Sequence, residues 1–69
     1  MEVIHLKEDY IKLGQAMKAA GLVGSGVDAK MLIADGLVKV NDEVETRRGK
    51  KLRDGDKVTF QNETIEIKK

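Results

Sequence analysis

The chain has 69 residues, no Cys and no Pro, which fits a single domain and rules out disulfides or a thiolate metal site as staples. A domain this short buries only about 60% of the surface its unfolded chain exposes, leaving a thin core and a stability margin of about 3–5 kcal/mol. The formal net charge is only +1, so any affinity for a polyanion must come from the distribution of charge, not from its sum.

Glu2 follows Met1 and no long apolar run occurs, which argues against a secretory signal and a membrane-spanning helix. The absence of cysteine fits a cytoplasmic setting. The initiating methionine points to a complete small protein, and so polar a chain is expected to be a monomer.

In chain order, Val3-Ile4-His5-Leu6 reads as a short extended segment. Tyr10, Leu13, Met17 and Ala20 then recur at helical spacing, predicting a first helix from about Asp9 to Ala20 that Gly21 ends. Gly24-Ser25-Gly26 predicts a turn. Ser25 can accept from the free N–H groups of a second helix, and Asp28 suits that helix's positive first turn. The second helix is expected from about Gly26 to Asp35, with Gly36 stopping it. Val27, Ala29, Met31, Leu32, Ile33 and Ala34 cover most of its circumference, so it is expected to be packed on several sides.

Beyond Gly36 the apolar period drops to two. Val38 and Val40 flank Lys39, and Asn41-Asp42 is a hairpin turn signal because both residue types tolerate left-handed backbone angles. Val44 begins the return strand. Gly55 turns the chain before Val58-Thr59-Phe60, and Gln61-Asn62 turns it again into Thr64–Ile67, where Ile65 and Ile67 share a face. Two helices followed by strands predict an α+β fold, with both helices on one face of a small, mostly antiparallel sheet.

Nothing in the chain suggests catalysis. His5 is the lone histidine, and no Cys or Ser is placed beside it for nucleophilic work; a single His in an amphipathic strand reads as structural or surface. The 12 acids mostly alternate with basic residues, which describes solvated faces, not a metal cage or an acid–base pair. No cofactor is expected. Gly24-Ser25-Gly26 resembles half of a phosphate-cradling loop, but the full dinucleotide pattern needs a preceding buried strand and a third glycine.

Charge distribution is the specific feature. Residues 1–36 hold four Lys and five acids, whereas Arg47, Arg48, Lys50, Lys51 and Arg53 fall within seven residues that contain no acid. Such crowding costs self-repulsion unless a polyanion or nearby carboxylates offset it. Arg supplies planar forks that match phosphate oxygens and Lys supplies point charges. Two readings stand side by side: a phosphate-binding loop, or a solvated loop neutralised by Glu45, Asp54 and Asp56. Tyr10 and Phe60 are the only aromatics and both fall at apolar-face positions, so no platform exists for stacking splayed single-stranded bases. An RNA ligand would then be recognised by shape and phosphate contacts on a folded element.

The ordered set Ala20-Gly21-Leu22, Gly24-Ser25-Gly26, Ala29-Lys30, Ile33, Gly36, Val38-Lys39-Val40-Asn41 and Gly55-Asp56 resembles the ribosomal protein S4-type RNA-binding domain, the αL motif. Glu45-Thr46-Arg47-Arg48-Gly49-Lys50-Lys51-Leu52 is most similar to its stand-alone YaaA/YbcJ type. The likeness covers about residues 9–60. It implies a bacterial, non-catalytic module that binds structured RNA, ribosomal or tRNA-like, in association with the ribosome. In that family the motif also accompanies catalytic domains, for which 69 residues leave no room.

By position, the resemblance implies RNA contacts from Lys12 and Lys18 on the first helix, Lys30 on the second, Lys39 before the hairpin, and Arg47, Arg48, Lys50, Lys51 and Arg53 after it. Two departures stand out. Many members carry Ser-Arg where this chain has Ser25-Gly26, which removes one phosphate contact and predicts weaker or displaced binding. Asn41-Asp42 replaces the usual Asn-Gly turn. The competing reading is a protein-interaction module whose basic patch meets an acidic partner. A sulfur-carrier reading would require a Gly-Gly end, where this chain has Lys68-Lys69.

Overall fold

The computed structural model describes residues 2–69; Met1, and with it the reading of the initiating methionine, lies outside the described residues. The strands are β1 (Glu2–His5), β2 (Ile11–Lys12), β3 (Val38–Val40), β4 (Glu43–Val44), β5 (Lys51–Leu52), β6 (Lys57–Phe60) and β7 (Glu63–Lys68). The helices are α1 (Leu13–Ala19) and α2 (Gly26–Ala34). Five strands form one sheet in the order β1-β7-β6-β3-β4, antiparallel except where β1 runs parallel to β7. The α+β expectation holds, and a separate β2–β5 ribbon adds to it.

Alternation decides which face of the sheet is buried. Val38 pairs with Phe60, Val40 with Val58, and Val58 with Ile65, so these side chains share one face. All are buried, as is Ile67. Leu13, Ala16 and Met17 from α1 and Ala29 and Ile33 from α2 close the core against that face. Each fully buried Leu, Ile or Met contributes about 1.5–3 kcal/mol relative to exposure. Lys39, opposite Thr59, necessarily points to the other face.

The turns follow the residue chemistry. Asn41 and Asp42 both take positive φ, 51° and 69°, as a tight two-residue hairpin requires. Both helices end alike. Gly21 and Gly36 sit at φ 75° and 78°, and the residue after each returns an N–H to the helix: Leu22 to the Met17 carbonyl and Leu37 to the Leu32 carbonyl. Ser25 Oγ accepts from the Asp28 N–H at 3.2 Å, capping α2 as expected.

Two expectations need correction. The first helix begins at Leu13, not near Asp9. Residues 11–12 find strand partners in Leu52 and Lys51, and this pairing overrides the helical spacing of Tyr10 with Leu13. The second helix is not packed on several sides. Only Ala29 and Ile33 are buried, while Val27 and Met31 remain 66% and 59% exposed.

Candidate nucleic-acid interface

The basic segment is held by its own backbone. The first N–H groups of a helix have no intrahelical partner, and Lys12, at the cap position of α1, carries no side-chain acceptor. Three groups fill the need. Gln15 Oε1 accepts from the Lys12 N–H at 3.2 Å. The Lys50 carbonyl accepts from the Leu13 N–H at 2.9 Å, and the Arg48 carbonyl from the Gly14 N–H at 3.0 Å. With the loop's carbonyls turned towards α1, its cationic side chains are left at the surface: Arg47, Arg48, Lys51 and Arg53 are exposed and Lys50 is half-buried.

This clamp creates a groove. Lys12, Gly14, Gln15, Lys18, Gly26, Arg48 and Gly49 line an open concavity of about 380 Å³ where the starts of both helices meet the loop. A second concavity, lined by Arg47, Gly49, Lys50, Lys51 and Arg53, adjoins it at Gly49. Seven of the nine cations singled out in the sequence therefore lie along two connected surfaces. Lys30 lines neither, but sits one helical turn from Gly26 on the same side of α2. Lys39 is not brought there; it belongs to the sheet face turned away from the helices. A concavity at the β6–β7 turn mixes Lys57 with Glu2 and Glu63 and offers no concentrated charge of either sign.

Of the carboxylates beside the patch, Glu45 alone pairs with one of its cations. Glu45 accepts from the Arg47 guanidinium at 2.9 and 3.2 Å and from the Arg47 backbone N–H at 3.1 Å. Hydrogen bonding in this pair raises the Arg47 pKa and lowers that of Glu45. Asp56 instead accepts from the Arg53 backbone N–H at 2.8 Å and from Asn41 Nδ2 at 3.0 Å, while Asp54 accepts from the Lys69 N–H at 2.9 Å. Among the described residues, Lys12, Lys18, Arg48, Lys50, Lys51 and Arg53 have no carboxylate within 4.0 Å. In addition, Lys12 and Lys51 stand directly opposite each other in the β2–β5 ladder, an arrangement that costs energy without a counter-charge.

Gly14, Gln15 and Gly49 are groove residues that charge reading alone passes over. Tyr10, expected on the apolar face of the first helix, instead precedes α1, and its ring faces Lys51 and Arg53. The period-two pairs Tyr10/Lys12 and Lys51/Arg53, each flanking one apolar residue, were the signal for a ribbon. No group of three potential metal ligands occurs among the described residues, and no described helix is long and apolar enough to cross a membrane.

Two helices on one face of a small, mostly antiparallel sheet, here with a basic loop clamped on the start of α1, make this an αL-type fold. The chain belongs to the S4 domain family, which it matches over residues 4–68. Its relatives include YbcJ of Escherichia coli (strain K12), 36% identical over 61 residues that span 88% of this chain and 87% of YbcJ. A probable ribosome maturation protein, RlbA, of Bacillus subtilis (strain 168) is 41% identical over 58 residues, 84% of this chain and 82% of RlbA. The solution structure of E. coli YbcJ, described as revealing an αL motif involved in RNA binding, superposes with a TM-score of 0.77 at 34% identity, covering 100% of this chain and 89% of that one.

Proposed function

We propose that this chain is a non-catalytic RNA-binding module that grips the phosphates of structured RNA, ribosomal or tRNA-like, as a cytoplasmic monomer. One observation carries the reading: Lys12, Lys18 and Arg48, with no carboxylate within 4.0 Å, converge on one groove that continues at Gly49 into a second cationic surface. Positive charge gathered without counter-charge is what a polyanion stabilises. The names of the relatives point the same way, YbcJ through RNA binding and RlbA through ribosome maturation. The lack of a free aromatic platform favours a folded or double-helical element over single-stranded bases.

Titration of a labelled RNA stem–loop across a salt series tests this. Neutralising about four to six phosphates gives a log affinity that falls against log salt with a slope of about −3 to −5. Replacing Arg47 and Arg48 together by Ala is expected to weaken binding about tenfold whatever the sequence and to flatten the slope by about one to two. Arg48 accounts for most of this, because Glu45 already offsets Arg47. An unchanged affinity would remove the loop from the interface. An acidic protein partner would meet the same charges; partners that survive RNase treatment of a pull-down would favour that second reading.

A further inference from the structure

Tyr10 stands immediately before β2, and Ile11 of that strand pairs with Leu52. Leu52 is fully buried, so its neighbours Lys51 and Arg53 leave the strand on the outer side. Both reach the same ring: Lys51 Nζ lies 4.9 Å from the Tyr10 centroid and Arg53 Cζ lies 5.7 Å from it. Lys12 is on the same side of the ribbon, directly opposite Lys51. Asp9, next to Tyr10 in sequence, is engaged at 2.7 Å by the Lys69 ammonium, and Asp54, next to Arg53, accepts from the Lys69 backbone N–H.

Contact with a ring differs in kind from contact with a carboxylate. The Glu45–Arg47 pair fixes a guanidinium while cancelling its charge and occupying its donors. An aromatic face attracts a cation through its quadrupole, leaves the net charge intact and keeps the outward N–H groups free. We propose that Tyr10 is the positioning residue of the ribbon: its ring holds Lys51 and Arg53 on one side, so that with Lys12 they meet successive phosphates of an RNA strand as an arranged triplet. This rests on the RNA-binding reading above and adds to it a residue that carries no charge. Long cationic side chains lose rotamer freedom when they bind, and restricting them beforehand lowers that cost.

The test uses the full chain and a fluorescently labelled RNA stem–loop. Tyr10→Leu is expected to weaken binding about three- to fivefold, the range a surface cation–π contact supplies. The slope of log affinity against log salt stays as in the wild type, because no cation is removed. Tyr10→Phe, which keeps the ring face, binds within about twofold of wild type. In the unbound protein, proton NMR reads the positioning directly: the Lys51 Cε and Arg53 Cδ protons are displaced upfield by the ring in the wild type and in Tyr10→Phe, and return to ordinary positions in Tyr10→Leu. Should Tyr10→Leu fail to fold, these displacements and the Phe variant decide the matter, and their absence from the folded wild type overturns the proposal. Wild-type affinity in a folded Tyr10→Leu, a flattened salt slope, or a Phe variant as weak as the Leu variant overturns it equally. A wild-type protein that shows the displaced protons yet does not bind the stem–loop instead defeats the RNA-binding reading, and the phosphate triplet falls with it.

Discussion

The five-stranded sheet and the β2–β5 ribbon both pair short strands, yet different forces hold them. The sheet places Val38, Val40, Val58, Phe60, Ile65 and Ile67 against two helices, so its register is over-determined by burial. Each strand of the ribbon has two residues, and between them Leu52 is the one fully buried side chain, with Ile11 only partly covered. The short ladder itself and two backbone hydrogen bonds to the start of α1, from Leu13 to Lys50 and from Gly14 to Arg48, do the rest. Redundancy therefore belongs to the scaffold, and the charged surface hangs from it by few attachments.

The largest effect should come from cutting the ribbon's one fully buried anchor. Leu52→Ala removes a buried side chain at a cost of about 2–5 kcal/mol, which rivals the margin of about 3–5 kcal/mol expected for so short a domain. Urea denaturation of the variant should show a midpoint far below wild type, and RNA affinity should fall with it. A loss below about 1 kcal/mol would mean that the ribbon is not tied to the core through Leu52 and that the contrast between the two regions is false.

How far each region can be read from the residues follows from the same contrast. Val38, Val40, Ile65 and Ile67 declare their strands because alternation is the direct consequence of one buried face. Ser25, Gly36 and Asn41-Asp42 likewise mark their caps and turn through local chemistry. The start of α1 does not declare itself. Tyr10 to Ala20 has helical spacing, and only a partner some forty residues away in the chain draws Ile11 and Lys12 into a ribbon. The exposed faces of α2 mislead for a related reason: apolar residues all round a helix imply several packing partners, but this domain has one sheet face to offer. Charge density in residues 47–53 is legible as such. Which carboxylates neutralise it is not, because Asp54 and Asp56 are engaged by backbone N–H groups that only the folded loop presents.

A gain of function would sharpen the picture from the other direction. Gly26 lines the groove at the first position of α2, and a Cβ built there meets no heavy atom within 4 Å. Gly26→Arg should add a cation beside Lys12, Lys18 and Arg48 without strain, raising RNA affinity about fivefold and steepening the salt slope by about one. Its effect on stability should stay within about 0.5 kcal/mol, because better helix propensity than Gly is offset by a positive charge at a helix N-terminus. Binding no tighter than wild type would show that the ligand does not enter between the two helix starts.

The smallest expected effect is the most discriminating. Lys39 shares the charge of the other candidates and stands beside the hairpin, so a reading by charge alone gives it equal weight. Its neighbours Val38 and Val40 are buried, which commits its side chain to the sheet face turned away from the groove. Exposed charges farther apart than the Debye length, about 8 Å at physiological salt, barely sense each other, and a screened lysine on the far face adds little to the field at the groove. Lys39→Ala should therefore leave RNA affinity within about twofold and the salt slope unchanged, in contrast to the Arg47 and Arg48 substitutions. A tenfold loss at Lys39 would mean that the ligand wraps past the β4 edge onto the outer sheet, and that the binding surface is set by the whole circumference of the domain instead of by the loop clamped on α1.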